Sequence, residues 1–360
     1  MRELRWVFAT PTLARPTGGD IAVHELASAL ARADAGSVHL VHVPFGDERV
    51  RGLDDIPWAR FDPRVEHTFS DRLDPDDLPD GDVVVYTMKL VASALGRRDH
   101  ATGSRLIDVL STGADDRGWL PVLFVQGLDV FGPEVEELAV RLPGAKVCVG
   151  SALVDALVAK GVARSSVACI PNGLDHTTFR VLRPVRARQP GVALNYDPHP
   201  VKAGEVGVRA LGALADRSGV PAIAFGTRPP AGALPDGVRF VESPTRSALV
   251  DDIYNASTMY LQPSQREGFG MCAVEAMACG CALVTTANGG SDDYAHHEET
   301  ALICETDPDA MTDALARLAG DDALRVRLAE AGARFVARFR WETSAKRLTE
   351  LAAERLSSGQ

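Results

Sequence analysis

The stretch EGFGMCAVEAMACG, residues 267–280, carries the most informative pattern in the chain, because a glycine-rich turn leads into an apolar helical run with an acid inside it. Glu267 stands just before the turn, and Glu275 lies among apolar side chains at helical spacing. A carboxylate in such a run is expected to be largely buried, and a buried charge without a partner costs several kcal/mol. The pattern therefore predicts that another group hydrogen-bonds Glu275.

A helix that begins near Phe269 would place residues 268, 271 and 275 on one face, so that Glu275 points along the same side as the glycine-rich turn. The free N–H groups of its first turn and the positive end of the helix dipole form an anion site. Gly268 and Gly270 let the backbone approach a ligand closely. A ligand with phosphates at the helix start and vicinal hydroxyls for a carboxylate fits this arrangement, as a nucleotide sugar does.

The two glutamates, with Gly-Phe-Gly after the first and Met-Ala-Cys-Gly after the second, resemble the donor signature of retaining GT-B glycosyltransferases. The closest resemblance is to the GT4 group, the glycosyl transferases group 1, and it continues through the predicted strand and second glycine turn at residues 281–290. The resemblance implies that Glu275 binds the donor ribose and that Glu267 is catalytic, contacting the transferred sugar. It also implies donor contacts from Gly268, Phe269, Gly270 and Met271.

The composition limits the classes of protein to which the chain can belong. At 360 residues it suits two domains of about 150 to 200 residues each. Its 46% hydrophobic and 24% charged residues are typical of an ordinary globular protein. The net charge of −11 argues against a nucleic-acid partner, which needs a concentrated basic surface. The arginine- and alanine-rich composition suggests a bacterial source.

Short apolar runs alternate with amphipathic segments throughout, which predicts an α/β fold with parallel sheets. The predicted strands are near 4–9, 37–43, 82–87, 121–126, 145–150, 167–170, 191–195, 221–226, 238–241, 258–262, 281–286 and 301–304. The predicted helices are near 20–33, 133–141, 151–160, 202–216, 245–255, 269–279, 307–318 and 321–338. By the GT-B resemblance, two doubly wound, Rossmann-like domains face each other across a cleft, where ligands lie at the carboxyl ends of strands. Residues 1–184 would bind the acceptor, residues 185–340 the donor, and a terminal helix over 341–360 would pack back on the first domain.

Lys202 lies in the loop after the first predicted strand of the second domain. Relatives usually carry an arginine and a lysine in this loop, and both hold the donor diphosphate. The lysine is present, and the resemblance gives it a catalytic, charge-stabilising role. Asp197 or its neighbour stands at the arginine position, and His199 is the candidate that replaces the missing donor group.

In the first domain, Gly18 and Gly19 follow the first predicted strand, where bare amides would meet the donor phosphate or the acceptor. Gln126 stands at a strand end where many relatives have a histidine beside the sugar, so it either contacts sugar or acceptor or caps a turn. Asn172 matches the family and either contacts the ligand or forms the turn between the domains. The G-x-G-x-x-G fingerprint is missing after the first strand, which disfavours a dehydrogenase.

No catalytic metal and no cofactor beyond the sugar nucleotide are predicted. D-x-D patterns, which hold metal in the GT-A class, occur at 74–76 and 307–309, but the first is in an acidic loop and the second at a helix start. Neither a signal peptide nor a transmembrane segment is predicted. The six cysteines mostly fall in predicted core elements, which favours reduced thiols and a cytoplasmic location. Peripheral membrane contact through a lipid acceptor stays open.

The predicted reaction is transfer of a hexosyl or deoxyhexosyl group from a nucleotide-diphosphate sugar to an acceptor hydroxyl, with the anomeric configuration retained. The acceptor class is not predicted, and a glycan, a natural product and a lipid-linked molecule are all compatible. Two alternatives stay open. One is a non-catalytic partner subunit that binds nucleotide sugars, favoured by the departures at Asp197 and Gln126. The other is a non-hydrolysing nucleotide-sugar epimerase, which shares the two-domain architecture.

Overall fold

Parallel strands buried on both faces form the centre of each half of the chain, as its short continuous apolar runs predict. The structure is a computed structural model, and it describes residues 3–15, 17–71, 75–96, 105–111, 117–128 and 130–358. Its contacts divide the chain into two units. Unit 1 contains the residues up to Gly173 together with those from Trp341 onward, and unit 2 contains Leu174–Arg340.

Unit 1 is a seven-stranded parallel sheet in the order β3-β2-β1-β4-β5-β6-β7. Its strands are β1 (Leu4–Pro11), β2 (Gly36–Val43), β3 (Val65–Phe69), β4 (Val83–Thr87), β5 (Leu120–Val125), β6 (Ala145–Cys148) and β7 (Val167–Cys169). Its named helices are α1 (Gly18–Arg32), α2 (Met88–Leu95), α3 (Pro133–Arg141) and α4 (Ser151–Ala159). Because β1 pairs with both β2 and β4, the strand order reverses between β1 and β4.

Unit 2 repeats this design with six parallel strands in the order β10-β9-β8-β11-β12-β13. The strands are β8 (Val192–Asn195), β9 (Ala222–Gly226), β10 (Val238–Glu242), β11 (Met259–Gln262), β12 (Ala282–Thr285) and β13 (Ala301–Ile303). The helices are α5 (Gly204–Ser218), α6 (Met271–Ala278), α7 (Pro308–Gly320) and α8 (Asp322–Val336), with a short helix Arg246–Ala248 that runs into a π-helical turn Leu249–Tyr254. The strand order reverses between β8 and β11, and apolar residues from the sheet and its helices form the core.

The terminal helix α9 (Trp341–Ser358) is part of unit 1, although it follows unit 2 in the sequence. It packs against α1 and buries Trp341 and Leu348, among other side chains. Ser344 Oγ donates to Pro171 O at 2.7 Å, and Arg347 Nη2 donates to Cys169 O at 2.7 Å. The helix therefore completes the layer over the β7 end of unit 1.

Elements of unit 1 that the sequence did not predict include the strand β3, the helix α2 and the helical residues 105–111. The strand β3 was not expected, because its sequence VEHTF has little continuous apolar character and only Val65 is fully buried. The helix α2 follows β4 without a loop, so the apolar run across both elements does not show where one ends. Thr87 marks the change, since its side chain accepts the N–H of Leu90 at 3.2 Å and caps the helix.

The boundary between the units lies at Gly173 and Leu174, eleven residues before residue 185. The intervening segment packs on unit 2, because Leu182 N donates to Asn255 Oδ1 at 2.8 Å and Val185 joins the unit 2 core. A turn-rich composition indicates a linker but does not show which core its apolar residues join.

Candidate functional site

The candidate site of unit 2 lies where the strand order reverses, between β8 and β11. In doubly wound sheets, ligands bind at the carboxyl ends of strands beside such a reversal. Lys202 follows β8, and Glu267 follows β11. The topology thus brings together two predicted site residues that are 65 positions apart in the sequence.

Lys202 and Glu267 form an ion pair with 2.8 Å between Lys202 Nζ and Glu267 Oε2. The other carboxylate oxygen, Oε1, accepts a hydrogen bond from Ser264 Oγ at 2.7 Å. The Lys202 side chain is 36% exposed and that of Glu267 is 12% exposed. The cation is therefore accessible to an anionic ligand, while the carboxylate is held from two sides.

Backbone contacts fix the loop that carries Glu267. Gln265 N donates to Val201 O at 2.8 Å, which ties this loop to the one that carries Lys202. Glu267 N donates to Asn288 O at 2.9 Å. A Cβ on Gly290 would lie 2.6 Å from Glu267 Cβ and 2.8 Å from Phe269 N, so the second glycine turn is packed directly against the Glu267 loop.

The helix after this loop begins at Met271 and not near Phe269, so the predicted start is corrected by two residues. Gly270 is left-handed at φ 85°, and a Cβ there would lie 2.5 Å from Tyr294 Oη. Phe269 is 3% exposed and packs edge to face against Tyr294 and Phe339, which holds it out of the helix. The first-turn amides that lack an acceptor within the helix are therefore those of Met271 and Cys272, because Ala273 N already donates to Gly270 O.

Glu275 is 9% exposed in the middle of this helix, α6, and it has the partner that the sequence predicts. Tyr254 Oη donates to Glu275 Oε2 at 3.0 Å. Burial raises the pKa of Glu275 from 4.5 to about 7, while the bond from Tyr254 and the charge of Arg246 lower it. The carboxylate is thus close to its titration point at neutral pH.

The loop between β8 and Lys202 uses its polar side chains for its own turns. Asp197 Oδ1 accepts the N–H of His199 at 2.8 Å, and His199 Nδ1 accepts the N–H of Val201 at 3.3 Å. A His199 ring that accepts at Nδ1 carries its proton on Nε2 when neutral. His199 is exposed, so this Nε2–H group is a donor at the edge of the site.

In unit 1 the structure brings together Gly19 and Gln126, because Gln126 Nε2 donates to Gly19 O at 2.8 Å. The first-turn glycines Gly18 and Gly19 begin α1, and a Cβ on Gly19 would lie 3.1 Å from Gln126 Oε1. Asn172 is 4% exposed, and within the described part of the chain its Oδ1 has no hydrogen-bond partner. It precedes Gly173, the last residue of the first segment of unit 1.

A second ion pair lies at the same place in unit 1, where the strand order reverses between β1 and β4. Lys89 Nζ lies 2.7 Å from Asp20 Oδ1, and the two side chains are 11% and 1% exposed. Asp20 Oδ2 accepts from both the N–H and the Oγ1 of Thr17 at 2.8 Å, closing a capping box. Sequence analysis did not identify this pair.

The described residues contain no group of three or more His, Cys, Asp or Glu side chains that could hold a metal ion. In the second D-x-D pattern, Asp307 caps α7 by accepting the N–H groups of Asp309 and Ala310. In the first pattern, Asp74 lies outside the described residues. No helix in the described ranges is long and apolar enough to span a membrane.

Sequence reasoning missed three residues that shape the site in unit 2, namely Ser264, Tyr294 and Tyr254. Ser264 lies three residues before Glu267, so its nearness was visible in the sequence. Tyr294 Oη donates to Phe269 O at 2.9 Å, and Tyr254 reaches Glu275 from 21 positions away. Only the three-dimensional structure brings these two tyrosines to the site.

Comparison with known proteins gives a family match within unit 2. Residues 232–335 match the family Glycosyl transferases group 1. The D-inositol 3-phosphate glycosyltransferase of Corynebacterium urealyticum is 38% identical over 115 residues, which are 32% of this chain and 27% of that protein. The corresponding enzyme of Salinispora arenicola is 32% identical over 124 residues, 34% of this chain and 28% of that protein. The aligned region thus spans little more than a quarter of these relatives' length.

Solved structures match almost the whole chain. Sucrose-phosphate synthase from Thermosynechococcus elongatus has a TM-score of 0.73 at 19% identity, covering 98% of this chain and all of that one. Anabaena HepE in complex with UDP-glucose has a TM-score of 0.68 at 16% identity, with coverage of 98% and 100%. The catalytic domain of Arabidopsis starch synthase IV, bound to ADP and acarbose, has a TM-score of 0.72 at 15% identity, with coverage of 99% and 100%. These matches and the two parallel-sheet units confirm the predicted resemblance to glycosyl transferases group 1 and the GT-B fold class.

Proposed function

We propose that this chain, which carries a group 1 glycosyltransferase sequence over residues 232–335 and has the GT-B fold, transfers a sugar from a nucleotide-diphosphate donor to an acceptor hydroxyl. The observation that carries the proposal is the arrangement around α6. The Lys202–Glu267 pair, the first-turn amides of the helix and the buried Glu275 all belong to one loop and helix system beside the strand reversal.

In this proposal the donor diphosphate is bound by the Lys202 ammonium and the amides of Met271 and Cys272. As the bond to the sugar breaks, negative charge grows on the leaving phosphate. A partly exposed lysine and the positive end of a helix stabilise that charge without reorganising at the moment of reaction. The His199 Nε2–H group is a further donor for this phosphate.

Glu275 is assigned to the ribose hydroxyls and Glu267 to a hydroxyl of the transferred sugar. The carboxylate of Glu267 is engaged by Lys202 and Ser264, which suits electrostatic stabilisation of a positively charged sugar ring. This engagement supports retention by front-face displacement, in which the leaving phosphate accepts the proton of the acceptor hydroxyl, over a covalent intermediate on Glu267. Gly18, Gly19, Gln126 and Asn172 are assigned to the sugar or acceptor.

The nature of the donor is proposed from the relatives. Because the HepE structure holds UDP-glucose and the starch synthase structure holds ADP, uridine and adenosine donors are tested first. The reaction is proposed to need no metal, since Lys202 and the helix dipole supply the positive charge. The buried thiols of Cys148, Cys279 and Cys281 and the bacterial relatives support a bacterial protein of the cytoplasm.

The test is thermal stabilisation of wild type and Glu275→Gln by UDP, ADP, GDP and dTDP and their sugar conjugates, with and without EDTA. A nucleotide at 100 times its dissociation constant should stabilise wild type by about 2.7 kcal/mol. We expect the nucleotides of one base to do so, with no effect of EDTA and with weaker binding in Glu275→Gln. Glu299→Gln, which changes an exposed acid of unit 2, serves as the matched control and should bind like wild type.

Stabilisation by none of these nucleotides would overturn the donor site. Nucleotide-sugar binding without turnover across an acceptor panel would favour the partner-subunit alternative, in keeping with Asp197 at the usual arginine position. A product formed from the nucleotide sugar alone would favour the epimerase alternative.

A further inference from the structure

The hydroxyl of the buried Tyr254 side chain contacts Glu275, the proposed ribose-binding carboxylate. Tyr254 is fully buried, and its hydroxyl donates to Glu275 Oε2 at 3.0 Å. Burial raises the pKa of this phenol well above its usual value, so Tyr254 keeps its proton over the whole accessible pH range. It therefore acts as a permanent hydrogen-bond donor to Glu275.

An unusual backbone feature positions the Tyr254 hydroxyl. Tyr254 ends the π-helical turn Leu249–Tyr254, and π turns occur frequently at functional sites. The next residue, Asn255, fixes the end of the turn, because its N–H donates to Val250 O at 2.9 Å and its Oδ1 accepts from Arg188 Nη2 at 2.8 Å. The position of the tyrosine is thus set by a buried polar network.

Aromatic packing fixes the ring of Tyr254 as well. The rings of Phe225 and Tyr260 meet it edge to face, with centroids 5.8 and 5.9 Å away. Both rings come from strands of the unit 2 sheet, β9 and β11. A tyrosine held by the sheet on one side and by the π turn on the other cannot follow Glu275 if that side chain changes rotamer.

The two oxygens of Glu275 differ as a result. Oε2 accepts from Tyr254, whereas the described residues place no donor on Oε1. The charged and titratable groups that face this carboxylate are Arg246 from the segment before the π turn, Tyr260 from β11, and Cys272 and Cys279 from α6 itself. Burial raises the pKa of both thiols, so Glu275 is the member of this set that titrates near neutral pH.

We infer that Tyr254 is a positioning residue for the donor, which holds Glu275 ionised and oriented so that Oε1 is presented to the vicinal hydroxyls of a nucleotide ribose. The inference rests on the proposed donor site and adds to it the residue that sets its specificity for a ribose. Without the hydroxyl of Tyr254, the buried carboxylate would take up a proton more readily and would accept fewer hydrogen bonds.

This role has a consequence in the pH dependence of ribose recognition. Since the pKa of Glu275 is about 7, ribose recognition should be weak below pH 7 and full above it. The hydrogen bond from Tyr254 lowers that pKa. Removing the Tyr254 hydroxyl should therefore raise the pH at which ribose recognition sets in. A hydrogen bond to a charged group is strong enough for a shift of about one to two pH units.

The experiment compares the dissociation constants of UDP and 2′,3′-dideoxy-UDP across pH 5.5–9 for wild type, Tyr254→Phe and Glu275→Gln, using ADP and its dideoxy form if UDP does not bind. Both nucleotides carry the same diphosphate, so phosphate titration and any change at Lys202 affect both dissociation constants equally. The ratio of the two constants therefore reports on the ribose hydroxyls alone. We expect the preference of wild type for UDP over its dideoxy form to develop with a midpoint near pH 7. In Tyr254→Phe this preference should develop with a midpoint at higher pH. Glu275→Gln should show little preference at any pH.

The outcomes separate the inference from the proposed function. If wild type binds UDP and its dideoxy form equally at all pH values, the assignment of Glu275 to the ribose fails. If wild type discriminates and Tyr254→Phe has the same midpoint and the same ratio, the donor site stands and the role of Tyr254 is overturned. A Tyr254→Phe variant that weakens both nucleotides equally at every pH would show a purely structural role and would also overturn the inference.

A second variant covers the case in which Tyr254→Phe does not fold. Incorporation of 3,5-difluorotyrosine at position 254 keeps the ring in place and makes its hydroxyl a stronger hydrogen-bond donor to Glu275. The midpoint should then lie below that of wild type. A midpoint at or above the wild-type value would contradict the inference.

Discussion

Each unit of the molecule carries an acid and a lysine where its strand order reverses, but the two pairs differ in their surroundings. In unit 1, Asp20 and Lys89 follow β1 and β4 and are almost fully buried, with side-chain exposures of 1% and 11%. In unit 2, Lys202 and Glu267 follow β8 and β11, and Lys202 is 36% exposed. The separations of 2.7 and 2.8 Å are nearly equal, so geometry alone does not distinguish the pairs.

Solvent access therefore decides what such a pair can do. A buried pair cannot be separated without leaving a charge uncompensated in a medium of low dielectric constant, so Asp20 and Lys89 suit a fixed support. An exposed ammonium has three N–H donors, so Lys202 can bind a phosphate while it stays paired with Glu267. We therefore expect mutations of the first pair to change stability and those of the second to change activity.

The largest effect is expected for Lys89→Met, which leaves Asp20 buried without a cation. The free energy of unfolding should fall by about 3–5 kcal/mol, as for other broken buried pairs. Urea denaturation measures the change. The double variant Asp20→Asn with Lys89→Met carries no unpaired charge and should recover part of the loss. A loss below 1 kcal/mol in Lys89→Met would contradict the role of this pair as a buried support.

Lys202→Met should have the opposite profile, with a large loss of turnover and little loss of stability. Removing one group that stabilises transition-state charge typically costs about 2.7–4 kcal/mol, or a factor of about 10²–10³ in kcat. Steady-state kinetics with the identified donor measures this. Lys346→Met, on the exposed face of α9, is a matched control and should retain wild-type kcat. Unchanged turnover in Lys202→Met would remove Lys202 from the mechanism.

Glu275→Gln tests a third case, because Glu275 is a buried acid with a neutral partner in place of a lysine. Its pKa of about 7 in the folded chain lies above its ordinary value of 4.5, so the stability associated with it is present below pH 4.5 and is lost as pH rises to about 7. The variant should therefore be more stable than wild type at pH 8, by about 1–3 kcal/mol, and equal to it at pH 4. Denaturation at both pH values measures this, and equal stability at pH 8 would contradict it.

The smallest effect is expected from the Lys202–Glu267 pair on folding itself. Glu267→Gln should change the free energy of unfolding by about 1 kcal/mol or less, because ion pairs with a solvent-exposed partner contribute little. Added salt should reduce the difference further. Denaturation at low and high salt provides the measurement. A loss near that of Lys89→Met would show that the two pairs are equivalent after all.

The sequence was most informative where a local pattern determines the structure. The alternation of apolar and amphipathic segments predicted the strands of both sheets except β3. The position of Glu275 in an apolar helix predicted both its burial and its need for a partner. In both cases the information lies in the spacing of neighbouring residues.

Tertiary contacts determined what the sequence did not predict. The helix α6 begins at Met271 because Phe269 is held by Tyr294 and Phe339, which lie far along the chain. The partner of Glu275 was not predictable, since Tyr254 reaches it only through a π turn. The roles of Asp197 and His199 in the turns of their own loop depend on backbone angles that residue types alone do not specify.

The position of α9 in the sequence has a consequence for how the protein is made. Unit 2 is one continuous segment that ends at Arg340, whereas unit 1 needs residues from both sides of it. On the ribosome, therefore, the whole of unit 2 is synthesised before the last helix of unit 1 emerges. Until then, the surface of the nascent unit 1 on which Trp341 and Leu348 will pack stays open to water or to a chaperone.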